Sequence, residues 1–205
     1  MNKKKFKNTK SGNITQKWVE LLMPFTENYN AKISASDLGR KAKIPQQTSS
    51  RILNNLVKLN LINYTIEGKN KLFYFDLNKQ STKTILNLLE LQKSLKFQFN
   101  DISLVLNELL IYCESIILFG SYSSNEFNKS SDLDIVILGK SNNDMIKKIK
   151  KKSIVKINEH YISYNEFSKL LKLNNPLSIE ILKNHILFGN YSMLVNIFLD
   201  YYERK

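Results

Sequence analysis

Gly120 and Ser121 stand ten residues ahead of Asp132-Leu133-Asp134, and apolar runs flank this frame on both sides. Ile116-Ile117-Leu118-Phe119 reads as a buried strand ending at the Gly-Ser pair, and Ile135-Val136-Ile137-Leu138 as a second strand that starts from the aspartates. Side chains two apart in a strand share a face, so Asp132 and Asp134 are expected to set their carboxylates side by side. Two such carboxylates repel each other unless a cation lies between them, which makes the pair a natural Mg²⁺ site completed by phosphate oxygens and water. Gly120 lets the backbone come close to a ligand, while the Ser121 hydroxyl and the amides of the following turn can hold phosphate oxygens.

The stretch from Leu118 to Leu138, with its G-S-x10-D-x-D frame and Ser131 just before the first aspartate, resembles the signature of the DNA polymerase beta-like nucleotidyltransferases, in particular the minimal nucleotidyltransferases. The resemblance implies a mixed sheet, a nucleoside triphosphate such as ATP bound with Mg²⁺ or Mn²⁺, and nucleotidyl transfer with release of pyrophosphate. It makes Asp132 and Asp134 metal-binding and catalytic, and Gly120, Ser121 and Ser131 nucleotide-binding. Members commonly carry a basic residue and a glycine soon after the Gly-Ser pair, where this chain has Ser124 and Asn125; asparagine accepts the left-handed backbone nearly as glycine does. Active members add a third carboxylate from the next core strand. Here that strand falls within 153–163, whose one acid, Glu159, is the expected third catalytic group, with an exposed strand-end glutamate as the alternative. His160 and His185 read as ordinary strand residues. Minimal nucleotidyltransferases that act as antitoxins transfer AMP to a tyrosine of a partner ribonuclease, so a protein acceptor such as a HEPN-type toxin is implied. A catalytically weak or inactive nucleotide-binding regulator is the alternative.

The surrounding chain has 205 residues, 42% of them hydrophobic, enough for one large or two small cores. Its net charge of +13 is uneven: residues 1–80 hold 15 Lys and Arg against 5 Asp and Glu, and the remaining 125 hold 16 against 13. An anionic partner for the N-terminal portion follows from that asymmetry. Cys113, the single cysteine, excludes an internal disulfide and fits a reducing cytoplasm. Glu20 interrupts the apolar stretch from Trp18 to Phe25, so neither a signal peptide nor a membrane span is expected.

Within the basic portion, Trp18–Phe25 has helical spacing, Ser34 or Ser36 can cap a second helix, and Ile44-Pro45 breaks it before a third helix from Gln46 to Asn60. Leu61–Ile66 and Leu72–Leu77 then read as strands around a turn at Glu67-Gly68-Lys69-Asn70. This order resembles the winged helix-turn-helix of MarR-like and ArsR-like regulators. The resemblance places Gln46, Gln47, Thr48 and Arg51 in the major groove of duplex DNA and Lys69, Asn70 and Lys71 on its backbone; a protein-docking module is the alternative.

Ser81 to Cys113 reads as one long linker helix whose apolar positions Ile85, Leu88, Leu95, Phe99, Ile102, Leu106 and Leu109 could form a homodimer seam or pack on the sheet. Helices at 144–152, 164–173, 176–184 and 191–202 and a strand at 185–188 complete the pattern. The stretch from Asn165 to Gly189 is similar to the C-terminal portion of archaeal proteins that join a winged helix to a nucleotidyltransferase domain. The expected architecture is α+β: a basic arm (1–13, with Lys3, Lys4, Lys5 and Lys7), a winged helix-turn-helix (14–80), a linker helix (81–113) and a nucleotidyltransferase-like mixed sheet flanked by helices (114–205).

Overall fold

Turn chemistry and apolar spacing divide the chain into a small antiparallel sheet, a larger mixed sheet and the helices that cover them. The structure, a computed structural model, describes residues 15–97, 99–128 and 130–204. The basic arm at 1–13 lies outside the described residues.

The first half runs α1 (Gln16–Leu22), a 3-10 turn (Met23–Thr26), β1 (Ile33–Ser34), α2 (Ala35–Ala42), α3 (Gln46–Lys58), β2 (Asn63–Glu67) and β3 (Asn70–Tyr74). Of the two candidate caps, Ser34 is the one used: its hydroxyl accepts the Asp37 amide at 3.1 Å, satisfying a helix-end donor. Lys43, in the left-handed conformation at φ 55°, ends α2, and Pro45 sets the entry to α3. Gly39 allows α2 and α3 to touch, because a Cβ there would lie 2.6 Å from Ser49 Oγ and 2.7 Å from the Ile44 carbonyl. β2 and β3 form a hairpin, and the three antiparallel strands are ordered β1-β3-β2.

The second half comprises α4 (Gln80–Leu95), α5 (Asn100–Leu110), β4 (Cys113–Leu118), α6 (Ser121–Ser124), β5 (Leu133–Ser141), α7 (Asn143–Lys152), β6 (Ile157–Ile162), α8 (Tyr164–Lys172), α9 (Pro176–Lys183), β7 (Ile186–Gly189) and α10 (Tyr191–Tyr202). Its sheet order is β6-β5-β4-β7, with β5 and β6 parallel and the other pairs antiparallel. β5 is buried on both faces. Leu133, Ile135 and Ile137 share a core with Ile102, Leu106, Ile146 and Ile149 of α5 and α7, while Val136 and Leu138 join the core that holds Leu86, Phe167 and Phe198. The described residues form an α+β fold.

The expected linker helix is two helices. Phe97 and Phe99 leave the helical path to bury their rings, edge to face with each other at 4.9 Å and against Phe188 and Phe127 at 6.2 and 4.8 Å. Burial of two aromatic rings outweighs continuation of helix hydrogen bonds over so short a stretch. The buried stripe of α4 includes Leu86, Leu89 and Glu90, and α4 packs on α10 and β7, whereas Leu95 of the supposed seam is 63% exposed.

One continuous core joins the halves, running from Trp18, Phe25 and Phe73 through Leu86 and Leu89 to Phe198 and Tyr202. At its centre the Tyr29 hydroxyl donates to Glu90 Oε1 at 2.8 Å, and His185 Nε2 lies 3.7 Å from the same oxygen. The His185 Nδ1 faces the Ile181 carbonyl at 2.8 Å, and since a carbonyl only accepts, Nδ1 carries the hydrogen. His185 is thus a buried junction residue, its ring stacked on Phe198 at 4.6 Å.

Burial pushes Tyr202 up to about 12, and burial, then Glu90, raises Tyr29 well above the ordinary phenol value. Both phenols hold their protons longer folded than unfolded, where the value is about 10. Their contribution to stability is therefore complete below pH about 10 and lost as pH rises through the folded values. Denaturant unfolding at pH 8 and pH 11 should show the loss, and Tyr29→Phe should cost about 1–3 kcal/mol at pH 8 by stranding Glu90. An unchanged midpoint in both experiments would contradict this reading of the junction.

Candidate functional site

β4 delivers Gly120, and β5 begins at the aspartates; their antiparallel register pairs Leu118 with Ile135, and the Phe119 amide donates to the Asp134 carbonyl at 3.1 Å. The turn after β4 therefore lies directly on the start of β5. Gly120 adopts φ 69°, ψ −153°, a conformation closed to most L-residues. A Cβ at this position would come 2.8 Å from Asp134 Oδ2, so the hydrogen on Gly120 is what admits that carboxylate against the turn. Gly120 is therefore packed directly against the Asp134 carboxylate.

The two aspartates have different partners, Lys156 for Asp132 and Asn158 for Asp134. Lys156 Nζ donates to Asp132 Oδ2 at 2.6 Å, and its pKa is raised first by that hydrogen bond and the Asp132 charge, and further by the charge of Asp134. An exposed lysine that responds to both carboxylates marks a focus of negative potential at the edge of the sheet. Among the described residues no three His, Cys, Asp or Glu side chains gather into a metal-binding group. A divalent cation here would take one or two protein carboxylates and fill its remaining positions from phosphate and water, a donor set suited to Mg²⁺.

Glu159 does not join the pair. The parallel register places Asn158 beside Asp134 and Glu159 beside Ile135, so the Glu159 side chain lies on the opposite face, where Lys150 of α7 holds its carboxylate. The position facing the aspartates is Asn158, whose amide donates to Asp134 Oδ1 at 2.9 Å. The expected third carboxylate is thus replaced by an amide that cannot take up a proton at neutral pH. His160, two residues on, shares the face of Asn158, its ring centroid 6.3 Å from that of Phe119.

Ser131 is engaged in the turn: its hydroxyl accepts the Asn128 amide at 2.9 Å, fixing the approach to Asp132. Asn125 takes the left-handed conformation, at φ 62°, ψ 30°, and closes α6. Gly120, Ser121 and Ser124 form one wall of a cleft of about 640 Å³, with Glu126 at its rim. The other wall comes from α9, with Ile179, Glu180 and Lys183, and from Asn184. The Ser123 hydroxyl fastens the two walls, lying 2.8 Å from the Gly120 carbonyl and 3.2 Å from that of Asn184. Lys183 is a cation in this cleft that the motif did not reveal, because its signal is the return of α9 to the turn from 62 residues along the chain (183 against 121). Lys156 and Asn158 were legible only once the strand register was known.

The second group of expected residues lies on the N-terminal half. Gln46, Gln47 and Arg51 are exposed and Thr48 half-buried along α3, and Arg51 borders a cleft of about 490 Å³ with Trp18, Asn54, Asn55 and Lys58. Lys69 is exposed at the hairpin tip beside Gly68. Lys71 is turned back instead: it donates to Asn54 Oδ1 at 2.6 Å and lies 3.9 Å from the centre of the Tyr64 ring, tying the hairpin to α3. Gly120 and Ser121 line one cleft and Arg51 another.

Comparison with known proteins bears on the second half. Residues 91–188 match the family model of the nucleotidyltransferase domain, a span that begins within α4 and contains the Gly-Ser turn, both aspartates and α9. The chain is also 34% identical over 79 residues to a protein of Methanocaldococcus jannaschii named as a candidate protein adenylyltransferase. That alignment covers 37% of this chain and 55% of the relative. No solved structure matches. Among the described residues no helix is long and apolar enough to cross a membrane.

Gly120→Ala is expected to leave the fold intact and to weaken binding of a fluorescent ATP analogue at least about tenfold, since its methyl would meet Asp134 Oδ2 and strain a positive φ. Fluorescence anisotropy read together with a melting curve separates loss of the site from loss of the fold; unaltered affinity would sever Gly120 from nucleotide binding.

Proposed function

We propose that the C-terminal domain binds ATP with a divalent cation at Asp132 and Asp134 and transfers its nucleotidyl group to a hydroxyl of a protein acceptor. The observation that carries the reading is the contact of Gly120 with Asp134, which sets the Gly-Ser turn, one wall of the 640 Å³ cleft, directly against an aspartate of the D-x-D pair. A bound Mg²⁺ supplies charge neutralisation for the triphosphate and for the departing pyrophosphate. Gly120, Ser121 and Lys183 hold phosphate oxygens, and Asp132 and Asp134 hold the cation. The acceptor oxygen attacks the α-phosphorus in line; the new P–O bond forms as the bond to the β-phosphate oxygen breaks and pyrophosphate leaves. The acceptor proton passes to water, because Asn158 stands where a carboxylate could have received it. The name of the M. jannaschii relative and the resemblance to minimal nucleotidyltransferases support a protein as the acceptor.

Asn158 also favours a second reading, in which the domain binds nucleotide without turning it over and the chain is a nucleotide-responsive regulator. The two readings separate by incorporation of label from α-labelled ATP into protein. Transfer is expected to be slow, abolished by Asp132→Ala and raised at least about tenfold by Asn158→Asp, which restores a proton acceptor and cation ligand. Label in neither wild type nor Asn158→Asp, with ATP binding intact, would select the regulator.

For the N-terminal half, the order of α2, α3 and the hairpin supports a winged helix-turn-helix that binds duplex DNA. Gln46, Gln47, Thr48 and Arg51 enter the major groove and Lys69 meets the backbone, with Lys71 bracing the hairpin. Arg51→Ala should weaken binding to mixed-sequence duplex and reduce the slope of affinity against salt by about one. An unchanged salt slope in electrophoretic mobility shifts would turn the assignment toward protein docking.

A further inference from the structure

Beside the Gly120 cleft lies a second hollow of about 740 Å³, enclosed by the 3-10 turn after α1 and by the C-terminal ends of α2, α4 and α9; Lys183 and Asn184 border both. Five lysines enter it, Lys41, Lys43, Lys93, Lys96 and Lys183, against two acids, Glu20 and Glu27, a surplus of three positive charges (five minus two). Lys41 is paired with Glu27 at 2.5 Å, and Glu20 accepts from the Gln16 amide at 2.7 Å.

Lys93 is half-buried, whereas the other four lysines of the cleft are exposed. Desolvation lowers the Lys93 pKa, and although the charges of Glu90 and Glu27 act in the opposite sense, neither forms an ion pair with it among the described residues. A desolvated ammonium without a carboxylate partner is costly, and an incoming anion would relieve it. Met23, Pro24 and Ala42 supply short apolar surface between the cations, and among the described residues no aromatic side chain lines the cleft. Single strands of nucleic acid are held by aromatic stacking as well as by charge, which this lining does not offer. Cations spaced among small apolar groups complement an extended peptide with acidic and apolar side chains.

We propose that this cleft docks an acidic, extended segment of the protein acceptor, presenting a neighbouring hydroxyl side chain to the Gly120 cleft across the shared Lys183 and Asn184. The proposal rests on nucleotidyl transfer to protein for its purpose, but docking itself is measured without turnover.

The probe is a fluorescent random copolymer of glutamate and tyrosine, with a lysine–tyrosine copolymer and a single-stranded oligoadenylate as the other arms. Wild-type protein should bind the acidic copolymer, more weakly as salt rises, and the lysine copolymer not at all. The double charge reversal Lys43→Glu and Lys96→Glu, at two exposed positions outside the nucleotide cleft, should weaken acidic-copolymer binding at least about tenfold while leaving the melting temperature and binding of a fluorescent ATP analogue unchanged. Undiminished copolymer binding in the double variant would overturn the proposal. So would tighter binding of the oligoadenylate that the variant abolishes, which would assign the cleft to nucleic acid. Retained, lysine-dependent copolymer binding in a protein that fails to bind ATP would uphold docking and overturn the nucleotide reading alone.

Discussion

The close approach of Gly120 to the Asp134 carboxylate is the contact on which the candidate site depends. It requires a residue without a side chain, held at positive φ, at the end of a buried strand whose antiparallel neighbour begins with the aspartates. The sheet supplies that rigidity: β4 and β5 lie at its centre, with apolar side chains buried on both faces. A flexible loop could not hold the Gly120 turn this close to a carboxylate, because the contact relaxes apart unless the backbone on both sides is over-determined.

Much of this arrangement was legible from residue order. The positions of β4, β5 and α10 follow from apolar runs and caps, and the juxtaposition of the Gly-Ser turn with the aspartates follows from a spacing that allows only a short excursion between paired strands. What the sequence concealed was register. Asn158 and Glu159 are adjacent in the chain, and a shift of one residue exchanges which of them faces the aspartates; the parallel pairing of β5 with β6 decides it in favour of Asn158. The linker helix failed for a different reason. Its local pattern is continuously helical, but the rings of Phe97 and Phe99 gain more by burial against Phe188 and Phe127 than by staying in register, and that competition is tertiary. Lys183 and Lys93 belong to clefts built by segments distant in sequence, so no local pattern could mark them.

The same packing connects the two halves. Tyr29 from the N-terminal half, Glu90 from α4 and His185 just before β7 meet in one buried polar cluster, and His185 directly follows Asn184, whose carbonyl faces Ser123 in the Gly-Ser turn. A short covalent and hydrogen-bonded path thus runs from the Gly120 cleft to the N-terminal half. With Asn158 in place of an acid, the group facing Asp134 can donate a hydrogen bond but cannot receive a proton, so the proposed binding of nucleotide and its proposed transfer make different demands on this site.

The most direct test of the central claim is electron paramagnetic resonance of Mn²⁺ added to the protein with and without a non-hydrolysable ATP analogue. The account predicts Mn²⁺ bound to the protein together with the nucleotide, and its loss in a variant carrying Asp132→Ala and Asp134→Ala whose melting curve is unchanged. Equal Mn²⁺ retention by that variant, or none by the wild type at saturating nucleotide, would contradict it.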